Sequence, residues 1–301
     1  MAVPLVQAEV AAFLQALAGG PPRETHISAV FRGPDEVWKL KKAVRLPFLD
    51  FSEATQRRRF LLRELALNAP WAPGLYRDVL PIVHTPNGLA LGAAGDDGVD
   101  WVLRMRRVPD ADFLDRVAAE GRLAPPLLDE LADAVAAMHG ALPAVGVEDP
   151  VGRMRRVAEG NARAAQAAGL PESRVRAWLD GVLAALEARA ALLESRAVAG
   201  LVRRAHGDLH LGNLLLWRGR PAPFDALEFD EDLATIDLGY DLAFLLMDLD
   251  CRVSRAAANR VLGRYAGRTG DAGLVGTLPP FMALRAIVRA HVAAKIGRAH
   301  V

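Results

Sequence analysis

The apolar positions of this chain keep two different periods, one before and one after about residue 108. Residues 5–18, LVQAEVAAFLQALA, repeat apolar side chains every three or four positions until Gly19-Gly20-Pro21-Pro22 stops them, which predicts a first helix. Two short strand-like runs follow, His26–Phe31 and Val37–Leu40, joined by the turn Arg-Gly-Pro-Asp-Glu. A second helix is expected over about 53–68, capped by Ser52, with Phe60, Leu61 and Leu65 packed and Arg57, Arg58 and Arg59 exposed. LPIVHT, GLALGA and DWVLRMRRV read as three more strands, with PNG and AGDDG as their turns. Five strands with one inserted helix make a small β-rich N-terminal lobe over 1–108.

From Pro109 the period becomes helical. Helices are expected over 126–142, 150–168, 172–195, 252–267 and 279–294, interrupted by the strand-like GNLLLW and PAPFDAL. This is a larger helical lobe over 109–294, and the class is α+β with a bilobal arrangement. There are no internal repeats and no long linker. The last seven residues, KIGRAHV, read as a translated sequencing adapter; Lys295–Val301 are therefore set aside, with the expectation that the natural protein continues.

Composition narrows the function classes. The formal net charge of +1 gives no reason to expect broad binding to nucleic acid or to an anionic membrane. The apolar stretches are too short or too charged to span a bilayer. Cys251 is the lone cysteine, which rules out an internal disulfide and a multi-cysteine zinc site and suits a reducing cytoplasm. Three of the four lysines, Lys39, Lys41 and Lys42, fall on one short segment, and an ammonium on a strand can serve a phosphate as a point charge.

The chemistry concentrates in His206-Gly-Asp208-Leu-His210-Leu-Gly-Asn213 and, twelve residues on, Asp225 of PFDALEFD. Asp208 can accept a hydrogen bond from a hydroxyl, while Asn213 and Asp225 offer hard oxygens to Mg²⁺, a set suited to phosphoryl transfer. Glu228 is close enough in sequence to add a further oxygen. Two other readings stand beside this one: Asp208 as a turn residue, and a zinc site made by His206, Asp208 and His210. Lys39, on a strand, and Glu64, on the following helix, could pair to anchor nucleotide phosphates, with Lys41 on the same strand face as a rival.

Together these segments resemble the aminoglycoside phosphotransferase family, whose fold is protein-kinase-like. HGDLHLGN is similar to its catalytic loop, FDALEFD to its metal-binding segment, and YDLAFLL to the helix whose Asp241 steadies that loop. ETHISAVF, VWKLKKAVRLPFLDFS, RELALN, APGLYRDVLPI and ALRAIVRAHVAA further resemble the N-terminal domain of bacterial bifunctional aminoglycoside phosphotransferase/ATP-binding proteins. The resemblance implies Asp208 as catalytic base, Asn213 and Asp225 as Mg²⁺ ligands, Lys39 and Glu64 as the ATP anchor, and Met105 in the hinge that receives adenine. It implies transfer from ATP to a hydroxyl of a small molecule, aminoglycoside-like or a metabolite. The alternative is a non-catalytic module serving a C-terminal P-loop ATP-binding domain; no GxxxxGK[ST] occurs in this chain. One departure stands out: the first hairpin has only Gly33 where a glycine-rich phosphate loop would be.

Overall fold

The computed structural model describes residues 2–46, 49–93 and 95–299. His300 and Val301, the end of the adapter-like segment, lie outside the described residues. The chain divides into two compact units, Met1–Asp112 with Leu216–Glu231, and Phe113–Leu215 with Asp232–Val301.

The first unit holds α1 (Ala8–Ala18), β1 (Arg23–Glu24), β2 (Ser28–Arg32), β3 (Glu36–Lys41), β4 (Arg45–Leu46), β5 (Leu49–Asp50), α2 (Ala54–Asn68), β6 (Tyr76–Thr85), β7 (Gly88–Leu91) and β8 (Asp100–Arg106). Among the described residues, β1-β2-β3-β8-β6-β7 form one antiparallel sheet in that order. Strand β3 shows why the sheet has two distinct faces. Trp38 and Leu40 join Val10, Leu14 and Ala18 of α1 in an apolar core with Phe31, Ile82 and Val102. The period of two sends Lys39 and Lys41 to the opposite face, where both meet Glu64 of α2.

Helix α2 corrects two expectations. Its N-terminal residue is preceded by Glu53, with no side-chain cap, while the Ser52 hydroxyl is spent on Asp50 at 2.6 Å. Arg57 is buried, not exposed, because 57, 61, 64 and 68 form one helical stripe against the sheet. Its guanidinium makes a two-pronged pair with buried Asp100 at 3.0 and 2.9 Å.

The second unit is mostly helical: α3 (Leu114–Ala119), α4 (Pro125–Ala141), α5 (Pro150–Ala167), α6 (Glu172–Glu187) and α7 (Ala190–Val198), then β9 (Val202–Arg204). A hairpin of β10 (Leu214–Trp217) and β11 (Arg220–Pro223), counted from Leu216 on with the first unit, comes before α8 (Glu231–Ala234), β12 (Thr235–Asp237), α9 (Leu238–Arg252), α10 (Arg255–Thr269) and α11 (Leu274–Ala299). The single helix expected over 172–195 is two, broken where Arg189 turns its guanidinium to the carbonyls of Ala185 and Gly276. The second of these contacts explains how α11 begins before Pro279 and Pro280. Pro280 has no N–H for the Gly276 carbonyl four residues back, and Arg189 Nε donates to that carbonyl at 2.6 Å.

Helix α9 is apolar all round and buried from Leu238 to Leu249, the signature of a core helix. Two carboxylates, Asp241 and Asp248, are buried with it. At its start, Asp237 and Asp271 share the buried Arg196 guanidinium at 2.8 and 2.5 Å, a three-member ion cluster that ties α7, β12 and the α10–α11 loop together.

Candidate active site

The first unit gathers a charged cluster on the α2 face of its sheet. Lys39 Nζ lies 2.6 Å from Glu64 Oε1 and 2.6 Å from Asp225 Oδ1. Lys41 Nζ lies 2.9 Å from Glu64 Oε2 and 2.5 Å from Glu228 Oε1. One carboxylate thus bridges two lysines, and each lysine holds a second acid from the 225–228 segment. The sequence left Lys39 and Lys41 as rivals; both bind Glu64, but only Lys39 pairs with Asp225. Burial alone would push the Glu64 carboxyl up, and the two ammonium groups overcome it and bring it down to about 2. Burial likewise opposes charge on both lysines, yet Asp225, Glu64 and Glu228 hold Lys39, and Glu64 and Glu228 hold Lys41, above the ordinary lysine range.

Asp225 is held in an unusual backbone state, with φ at 60°, a left-handed conformation that Asp tolerates better than most residues. Two neighbours secure it. Asp225 N donates to the Tyr76 hydroxyl at 3.0 Å, and Ala226 N donates to Asn68 Oδ1 at 2.9 Å. Asn68 lies one helical turn after Glu64, so one face of α2 supplies both the lysine partner and the anchor of the Asp225 segment. Neither Asn68 nor Tyr76 was singled out from the sequence, although RELALN carries the i,i+4 spacing. Met105, expected in the hinge, sits half-buried near the end of β8, opposite Val37 and Tyr76.

The second unit builds the loop that carries Asp208. Gly207 has φ at 83°, which turns the chain sharply before Asp208. Asp241 holds this turn from α9: its two oxygens accept from His206 N and Gly207 N, both at 3.0 Å. Behind it, His139 bridges Asp241 at 3.2 Å and the Tyr265 hydroxyl at 2.8 Å. Asp248, two helical turns along α9 from Asp241, accepts from Leu211 N at 3.0 Å. Two buried carboxylates on one helix face therefore carry the loop at both ends. Asp241 was expected; Asp248 was not, although a second acid inside an apolar helix is itself a signal.

Asp208 and Asn213 come together within this loop. Asn213 Nδ2 donates to Asp208 Oδ2 at 2.8 Å and to its carbonyl at 3.0 Å. Asn213 Oδ1 is a hard oxygen of the kind a divalent cation takes. His210 Nε2 lies 3.4 Å from Asp208 Oδ2, while His210 Nδ1 accepts from Gly212 N. The Asp208 side chain is 43% exposed. Partial burial opposes its charge, but His210, His206 and Arg285 outweigh that and bring the carboxyl down to about 2. It is an ionised acceptor facing outward.

The zinc alternative finds no support. Among the described residues no group of three His, Cys, Asp or Glu side chains gathers to hold a metal. His206 Nδ1 and His210 Nδ1 are instead occupied by backbone N–H groups of the loop.

Known proteins share this architecture. Residues 44–275 match the family model described as "Phosphotransferase enzyme family". Uncharacterized proteins of Mycobacterium tuberculosis and Mycobacterium bovis are 30% identical over 279 residues, covering 90% of this chain and 54% of theirs. The chain thus spans about half the length of the curated relatives it matches. A choline kinase from Cryptosporidium parvum superposes with a TM-score of 0.51 at 10% identity, over 92% of this chain and 82% of that one. A choline/ethanolamine kinase family protein from Mesorhizobium loti gives 0.51 at 16%, over 95% and 85%. At such identities the likeness is one of fold, and the fold is kinase-like.

Proposed function

The chain belongs to the phosphotransferase enzyme family, and from that premise we propose that it moves the γ-phosphate of ATP to a hydroxyl of a small molecule, with Mg²⁺ as cation. The observation that carries this reading is Asp208, a half-exposed carboxylate kept ionised, with Asn213 and His210 both at its Oδ2. A carboxyl brought down to about 2 is a weak base, so its work is to orient the acceptor hydroxyl and take the proton late, as the new P–O bond forms. Positioning and charge neutralisation supply most of the rate in such a transfer.

Lys39 is the residue we assign to the nucleotide phosphates. It would exchange Asp225 for phosphate while Glu64 keeps it on the sheet. Its ammonium stays charged throughout, because burial is outweighed by the surrounding acids. Met105 and its strand end would offer backbone groups to adenine. Asn213 Oδ1 and the Asp225 carboxylate are hard oxygen donors of the kind Mg²⁺ takes, and the ion would neutralise phosphate charge.

A second reading is kept because the chain covers only 54% of its mycobacterial relatives. In it, the chain is a non-catalytic module for a further ATP-binding domain. One experiment separates the two: a γ-phosphate transfer screen over hydroxyl metabolites and aminoglycosides, with Asp208→Ala as control. Transfer that disappears in the variant supports the enzyme. Nucleotide binding with no transfer to any acceptor supports the module.

A further inference from the structure

Unsatisfied donors collect on the α9–α11 face of the second unit, beside the Asp208 loop. Arg285 and Arg289 are one helical turn apart on α11, and Tyr240 and Phe244 one turn apart on α9. The Arg285 guanidinium lies 3.8 Å from the Tyr240 ring centre and 4.9 Å from that of Phe244; Arg289 lies 5.0 Å from Phe244. The His210 ring meets the same Phe244 edge-on at 5.1 Å. Phe244 is thus a platform touched by two guanidinium groups and by the histidine that contacts Asp208.

The arginines are not fully used. Arg285 is 6% exposed, and its Nη2 has no hydrogen-bond partner; the nearest acid, Asp241 Oδ1, is 3.8 Å away. Arg289 Nη2 lies 2.7 Å from Asp248 Oδ1, but its buried Nε has no partner. The acids facing this cluster are already engaged. Asp241 takes two loop N–H groups and His139, and Asp248 takes Leu211 N and Arg252 Nε at 2.9 Å. What remains is an excess of buried N–H donors, Arg285 Nη2 and Arg289 Nε, of a kind that is unfavourable when left without an acceptor. The Arg289 side chain is 34% exposed, against 7% for that of Arg285.

We propose that this cluster holds an anionic group of the phosphate acceptor, so that the substrate class is hydroxyl compounds carrying a carboxylate or phosphate. The inference rests on the phosphotransferase reading. It also runs against a polycationic acceptor: Arg285 and Arg289 would repel ammonium groups brought beside Asp208. A guanidinium suits carboxylate and phosphate alike through paired N–H donors.

The test begins with inorganic phosphate and acetate titrated into the full chain by calorimetry. One or both should bind one to one, and their ranking tells phosphate-bearing from carboxylate-bearing acceptors. Arg289→Gln should weaken binding by about tenfold or more, the loss of one charge-assisted contact, and Arg289→Lys should recover part of it. Arg285→Lys keeps the charge, leaves the Arg289–Asp248 pair intact and should weaken binding by a smaller factor. In transfer assays with matched acceptors, hydroxy acids and sugar phosphates should be used ahead of their neutral parents and of aminoglycosides. Arg289→Gln should raise KM for the anionic acceptor far more than for its neutral parent. The proposal is overturned if neither probe binds, if Arg289→Gln binds the probes as wild type does, or if cationic acceptors are preferred. Failure to bind ATP would undo the phosphotransferase reading instead, and anion binding would survive it.

Discussion

Glu64→Gln removes the charge that lies between two buried ammonium groups. Glu64 and Lys41 side chains are both at 0% exposure, and the oxygens stand 2.6 and 2.9 Å from Lys39 and Lys41. Breaking a buried ion pair by removing one partner costs about 3–5 kcal/mol. Each lysine retains another acid, Asp225 or Glu228, so the lower end, about 3 kcal/mol, is expected. At about 2–4 °C per kcal/mol for a unit of this size, the melting temperature should fall by roughly 6–12 °C. The pH dependence sharpens the test. The Glu64 carboxyl is lowered from 4.5 to about 2, so its contribution is whole above about 4.5 and is lost as the pH falls through about 2. Calorimetric scans of both proteins should therefore show a gap that is full at neutral pH and closes through this acid range. No gap at neutral pH, or a gap unchanged down to the lowest pH, would refute the bridging role of Glu64.

Three further outcomes are expected. Asp248→Asn keeps the shape of α9 but weakens the hold on Leu211 N, so kcat should fall by about tenfold while nucleotide affinity, read by calorimetry, stays as in wild type. Gly207→Ala places a Cβ at φ 83° and should cost about 1–2 kcal/mol in a urea titration. Arg196→Met leaves Asp237 and Asp271 facing each other without their shared cation, and the same titration should show a loss of about 3–5 kcal/mol.

The sequence was most legible where one local pattern decided the outcome. The period of two in VWKLK put Lys39 and Lys41 on one sheet face, and HGDLHLGN forms a loop as read, in which Asn213 Nδ2 meets Asp208 Oδ2. It was least legible where a partner distant in sequence decides. Arg57 sits in a run of three arginines and reads as exposed; only Asp100, 43 residues away, makes its burial possible. The break in the 172–195 helix depends on carbonyls of α11 that Pro280 leaves free. Asn68 and Tyr76 look like an ordinary helix end and strand start until the 216–231 segment returns to the first unit and brings Asp225 to them. The missing glycine-rich turn in the first hairpin has a structural counterpart. Gly33 lies against Trp38, where a Cβ would approach the ring to 2.8 Å, so this glycine serves packing within the hairpin.

The central claim is that Asp208 orients the acceptor hydroxyl for transfer, and Asp208→Ala with ATP, Mg²⁺ and an acceptor found in the screen tests it most directly. Transfer should fall by about 10²–10⁴-fold while ATP affinity, measured by calorimetry, changes by less than about threefold. A variant that still transfers phosphate at the wild-type rate would contradict it.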